Sequence, residues 1–337
     1  MKRLISVIVT IALAASMSAC GMFKGTTQKY MEAFNKTQSA DSMQAQTKYN
    51  ISMDLSKAPE EVKEGLEKYK EVTVNTDQWI DNKNRKSETR SFVKAGEMML
   101  DSKIYALDDK VYLKSFFTGD KYMDLTSGAK QNNASIDMKN QEKFYNDLLA
   151  VWKDAVQNEV LVTEGNSIEN TPDGDIKVTI LTLELNDEKS KNILKKITEL
   201  YARNDEMIAM AAEGGAKIYK EYGFEGDGSQ VVREYLKKLP ETLEKNKDKF
   251  AIEKLKLTAK IDKDSHIIDE TLEGTFAFKV KGEIRANFNM HTTRWNIDSG
   301  KVKVNIPEIK KEDIIETKDM NFNNSEMFKM FKDKFKK

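Results

Sequence analysis

Hydrophobic positions along this chain follow two periods, and the places where one gives way to the other divide it into strand-rich and helical stretches. Tyr30, Met31, Phe34 and Thr37 recur at helical spacing, with Thr26 or Thr27 placed to cap, so a first helix over 27–42 is expected to pack on a sheet. Residues 49–55 then alternate with period two, and Pro59 interrupts them before a helical turn carrying Val62, Leu66 and Tyr69. From 72 to 125 the pattern predicts an antiparallel meander. Its segments 72–80, 86–93, 98–107 and 110–117 are rich in β-branched and aromatic residues, and are separated by Asn82-Lys83-Asn84, Ala95-Gly96 and Asp108-Asp109.

Helical spacing returns over 138–157, where Phe144, Leu148, Val151, Trp152 and Ala155 share one face. Strands over 160–168 and 176–185 flank the turn at Asn170-Thr171-Pro172-Asp173-Gly174. Residues 187–249 read as three helices with breaks at Arg203-Asn204 and 223–228. Four closing strands follow over 254–261, 267–278, 285–297 and 302–306, the last stopped by Pro307. The order is about ten strands in two runs around a helical middle, an α+β arrangement. No linker rich in Gly, Pro or Ser separates the runs, which favours a single domain over 27–309 containing the helical segment 187–249; a split near residue 187 is the alternative.

The first residues carry a different signal. Lys2 and Arg3 precede an apolar run over 4–15, and Ser16-Met17-Ser18-Ala19-Cys20 supplies small residues ending in the chain's one thiol. That run is too short to cross a bilayer as a mature helix. On Met17-Ser18-Ala19-Cys20 the chain resembles a bacterial lipoprotein. The resemblance implies that residues 1–19 are a signal peptide removed on export, that the Cys20 thiol receives a diacylglycerol, and that residues 20–26 tether the domain to the extracytoplasmic face of the cell membrane. The competing reading is a plain secretory signal with a chance thiol. A single cysteine permits no intramolecular disulfide and no thiolate metal cluster.

Composition narrows the classes further. Charged residues make up 33% of the chain, 55 basic against 55 acidic, and losing Lys2 and Arg3 with the leader leaves a slight acidic excess. This balance speaks against a nucleic-acid partner, which calls for a basic face. Four prolines and sixteen glycines are too few for a multi-linker or low-complexity coat.

The element order, together with the ending Lys301-Val302-Lys303-Val304-Asn305-Ile306-Pro307-Glu308-Ile309, is similar to the LolA/LppX-type lipoprotein group. That resemblance implies a strongly curved antiparallel sheet, an incomplete barrel, with helices packed on its concave face as a lid. It also implies that lipid or another hydrophobic ligand, an acyl chain for example, binds between sheet and lid. No individual residue is carried over by it.

Two segments are candidate binding elements. Within 204–224, Met207, Ile208, Met210, Ala211, Ile218, Tyr219 and Tyr222 form one stripe, with Gly214-Gly215 weakening the helix by about 1 kcal/mol each relative to alanine. A methionine-lined, weakened helix can reshape around an apolar ligand. The competing reading is a core-facing helix with a loop at the glycines. In the tail over 310–337, an amphipathic helix is expected with Phe328, Phe331 and Phe335 on one arc and lysines opposite, suited to a shallow membrane contact or to docking on its own domain.

Catalytic, cofactor and metal signals are absent as motifs. His266 and His291 lack a His-Glu-x-x-His frame, and the Asp262, Asp264, Asp269 cluster lacks the glycine and terminal glutamate of a calcium loop, so it reads as a charged hairpin turn. No nucleophile elbow or phosphate loop occurs. Trp79, Trp152 and Trp295 are isolated, with burial expected for each. The alternative to ligand binding is a structural or interaction lipoprotein that docks an envelope protein partner.

Overall fold

The computed structural model describes residues 26–108, 110–115, 118–124, 143–144, 146–148, 150–152, 154, 161–205, 208, 212, 228–279 and 282–315. Their elements are α1 (Thr26–Gln38), β1 (Ser42–Asp54), α2 (Glu60–Leu66), β2 (Glu71–Asp81), β3 (Lys86–Ala95), β4 (Met98–Leu107), β5 (Lys110–Ser115), β6 (Tyr122–Asp124), β7 (Leu161–Thr171), β8 (Gly174–Leu185), α3 (Asp187–Arg203), α4 (Gly228–Lys245), β9 (Phe250–Ile261), β10 (Ile267–Lys279), β11 (Glu283–Trp295) and β12 (Ile314–Ile315). The described residues of 143–154 are also helical.

All the strands belong to one sheet in the order β12-β6-β5-β4-β3-β2-β1-β11-β10-β9-β8-β7, with no pairing that would close β12 onto β7 among the described residues. Every neighbouring pair is antiparallel except β12 with β6. The first strand thus sits near the middle. It pairs with β11 (Tyr49 opposite Met290) and with β2 (Tyr49 opposite Val74), joining the two strand runs. Short turns set the registers. Gly96, at φ +60°, makes the two-residue connection of β3 to β4, and a Cβ there would lie 2.1 Å from the Lys68 carbonyl oxygen, so only glycine fits.

The core lies on one side of this sheet, here called the inner face. Leu181, Leu183, Leu257, Ala259, Leu272, Phe276, Ala286 and Phe288 of β8 to β11 meet Tyr30 and Met31 of α1, Phe144, Leu148 and Trp152, and Ile193, Leu194 and Ile197 of α3. Polar contacts fix the helices over it. The Thr37 hydroxyl donates to the Ala33 carbonyl (2.7 Å) and accepts from the Ile267 amide (2.8 Å), pinning the end of α1 to the start of β10. The Asn186 side chain caps α3 by accepting from the Lys189 amide (2.9 Å), and Asp187 accepts from the Ile252 amide (2.7 Å) at the head of β9. The Phe144 and Tyr201 rings meet edge to face at 4.9 Å.

The expected antiparallel sheet with helices is present, with twelve strands among the described residues where about ten were expected. The expected strand over 302–306 is not one: 301–310 has no regular structure. The physical reason is that β11, its antiparallel neighbour in sequence, is already paired on both edges by β1 and β10. The segment instead packs Ile306 and Ile309 against Tyr105, Tyr112 and Tyr122, and the free edge of β6 is taken by β12. The first strand also begins earlier than its apolar pattern suggests, at Ser42.

Candidate functional site

Strand register divides the inner face into rows that run across the sheet. One row reads Thr292, Thr47, Thr76, Ser91, Ser102 and Ser115 over β11, β1, β2, β3, β4 and β5. Within it the hydroxyls of Thr47 and Thr292 lie 3.0 Å apart and those of Thr76 and Ser91 3.3 Å apart. Each hydroxyl both donates and accepts, so the row is a neutral polar line. The neighbouring row is apolar: Met290, Tyr49, Val74, Val93 and Leu100. On the other side, Ile104 and Leu113 face each other across β4 and β5.

Coverage of these rows is uneven. The helix-lined core takes in Tyr49, Ile51 and Met53 of β1 but, among the described residues, nothing from β2 to β5. Val72, Val74, Val93, Leu100, Ile104 and Leu113 consequently remain half-buried on the same face. An alternating strand ordinarily buries such side chains against another layer.

A buried ion pair lies in the covered part, on β10 and β11. Glu270, opposite Thr292 in the hydroxyl row, accepts from the Arg294 guanidinium at 3.0 Å, and Tyr30 of α1 donates to its other oxygen at 3.2 Å. Both side chains are about nine-tenths buried, at 11% exposure for Arg294 and 8% for Glu270. Burial pushes the Tyr49 phenol above its ordinary pKa, while the Arg294 charge pulls it part of the way back; the phenol stays neutral at physiological pH.

Of the stripe expected on 204–224, only Ile208 is described, and it is 1% exposed; Met207, Met210, Ala211, Ile218, Tyr219 and Tyr222 lie outside the described residues. Cys20, Gly214-Gly215, Phe328, Phe331 and Phe335 lie outside them as well. The two histidines are not brought together: His266 is buried beside Asp262, and His291 meets Asp269 at 2.6 Å. Asp262 closes the β9–β10 hairpin by accepting from the Asp264 and His266 amides, and no group of metal-ligating side chains forms among the described residues. Trp152 is in the core, whereas Trp79 is half-buried on the opposite, outer face with Arg90 4.9 Å above its ring. The hydroxyl row went unread in the sequence because its members sit on different strands; the only local trace is Thr or Ser recurring at inward positions.

No helix among the described residues is long and apolar enough to cross a membrane. No family model matches the chain, and no curated protein matches it. Among solved structures it is similar to a β-barrel-like protein of a domain of unknown function, DUF1849, from Brucella abortus, at 9% identity over 77% of this chain and 100% of that one. The TM-score of that superposition, 0.19, is too low to bear on the fold.

Proposed function

We propose that the protein is a membrane-anchored, extracytoplasmic lipoprotein that holds an acyl chain or similar hydrophobic ligand between a strongly curved sheet and the helices on its concave face. The observation that carries this reading is the half-buried apolar surface of Val74, Val93, Leu100, Ile104 and Leu113, on the core side of the sheet yet outside the helix-lined core. Covering such a surface with a ligand chain stabilises the complex by about 0.8 kcal/mol per buried methylene. The adjoining hydroxyl row gives a ligand's ester or hydroxyl group neutral partners in an otherwise apolar setting. A diacylglycerol on Cys20 with a tether over 20–26 would hold the groove within short reach of a bilayer, where acyl chains can be exchanged.

The test is native mass spectrometry of the protein extracted from membranes, with lipid analysis of the released material. Co-purified acyl lipid in stoichiometric amount is expected, and protein that carries none before or after incubation with acyl lipid overturns the proposal. A second reading, an interaction lipoprotein docking an envelope partner without a ligand, is favoured by Phe92 and Met99. These are exposed by 40% and 61% and are diagonal neighbours on the outer face of β3 and β4.

A further inference from the structure

The outer face of β3 to β5 borders a cavity, and Ser115 at the end of the hydroxyl row also lines it. It has a volume of about 740 Å³, within the range of small-molecule sites, and the segment 304–307 forms one wall. Glu88 of β3 lines it while being only 3% exposed. One of its oxygens accepts from Arg90 Nε at 2.8 Å, and no other hydrogen bond to this carboxylate occurs among the described residues. Tyr105 and Tyr122 also line the cavity, 6% and 9% exposed, with their rings tilted at 62° and no hydrogen-bond partner for either phenol oxygen among the described residues. Burial, with the Glu88 charge next and that of Tyr122 after it, raises the Tyr105 pKa, so its hydroxyl remains a donor. Lys103, Lys114, Asp101, Ser115 and Asn305 complete the polar lining, with Lys114 Nζ 5.1 Å over the Tyr122 ring.

We infer that this cavity is a carbohydrate-binding site, taking a short neutral oligosaccharide through hydrogen bonds to Glu88, Tyr105 and Tyr122. The second oxygen of the Arg90-held Glu88 carboxylate and the phenols of Tyr105 and Tyr122 line one open space, and such groups bind sugar hydroxyls: a carboxylate accepts, and a phenol donates or accepts. Three cations, Arg90, Lys103 and Lys114, outnumber Glu88 and Asp101 in the lining and disfavour an amine. A sugar hydroxyl on the second Glu88 oxygen or on either phenol supplies a hydrogen bond that the described residues do not.

The test is saturation-transfer NMR and calorimetry on the full chain in a detergent without sugar head groups, with chitotriose and maltotriose as probes. Saturation transfer from the protein to the protons of at least one trisaccharide is expected. Glu88→Gln should weaken binding at least about tenfold, since a hydrogen bond to a charged group is lost. Tyr122→Phe removes only a hydroxyl, keeps the ring in its cluster, and should weaken binding by about threefold to tenfold with an unchanged melting temperature. The inference is overturned if neither trisaccharide binds below about 10 mM, or if both variants bind as well as the parent.

Discussion

The two halves of the sheet alternate in the same way and end up in different environments. In β10 the inward positions are nearly all buried, and Leu272, Phe276 and Phe278 join Tyr30, Ile193 and Ile197 in one cluster. In β2 nearly every position is half-buried, although Val72, Val74 and Ile80 face the same side. Alternation therefore dictates which face a residue occupies, while the covering layer decides whether that face is dry. The halves also differ in what they present: leucines and phenylalanines under the helices, and aliphatic side chains interrupted by a row of threonines and serines beyond them. An aliphatic surface crossed by hydroxyls suits a movable amphiphilic occupant better than a fixed core does.

Truncations should separate the halves most sharply. Phe276→Ala in the covered half should cost about 3–5 kcal/mol, whereas Leu100→Ala in the open half should cost about 1 kcal/mol, measured by chemical denaturation. Equal costs would erase the distinction. Next in size is the buried pair of the covered half: Arg294→Met leaves Glu270 buried without its cation and should destabilise by about 3 kcal/mol, while Arg294→Met with Glu270→Leu should recover most of that loss. If the double variant is no better than the single one, the pair is not an electrostatic unit.

One acid-sensitive contact lies in the covered half. Burial pushes the Asp187 pKa up, but the Ile252 amide and Lys191 outweigh it and hold the pKa below the ordinary 3.8. A depressed carboxylate stabilises the fold above its unfolded pKa, and that stabilisation is lost as pH falls through the folded value. Asp187→Asn should therefore lower the melting temperature at neutral pH and narrow the gap to the parent below roughly pH 4. The smallest effect is expected in the hydroxyl row. Replacing both Thr47 and Thr292 by Val removes both partners together and should change stability by less than about 1 kcal/mol, while weakening binding of a hydroxylated acyl ligand more than of a plain one.

Much of the sheet was legible in the sequence, because turns and alternation are local. The meander strand expected over 98–107 is β4, bounded by Gly96 before it and by Asp108, at φ +52°, after it. The beginning of β1 was not legible, since of its inward positions Met43, Ala45 and Thr47 only Met43 is large and apolar, so the alternation is weak. The segment over 302–306 reads as a strand but finds no free edge, which is a property of the whole sheet. The hydroxyl row and the Glu88 cavity depend on register and on the return of 304–307 over the outer face, neither of which is written in any one segment.

Photo-crosslinking of the membrane-extracted protein with a diazirine-bearing fatty acid, followed by peptide mapping, locates the ligand directly. Adducts are expected at inner-face positions of the open half, Val74, Val93, Leu100 and Ile104 among them, competed away by unlabelled fatty acid. Adducts confined to Phe92 and Met99 on the outer face, or none that unlabelled fatty acid competes away, would contradict ligand binding there.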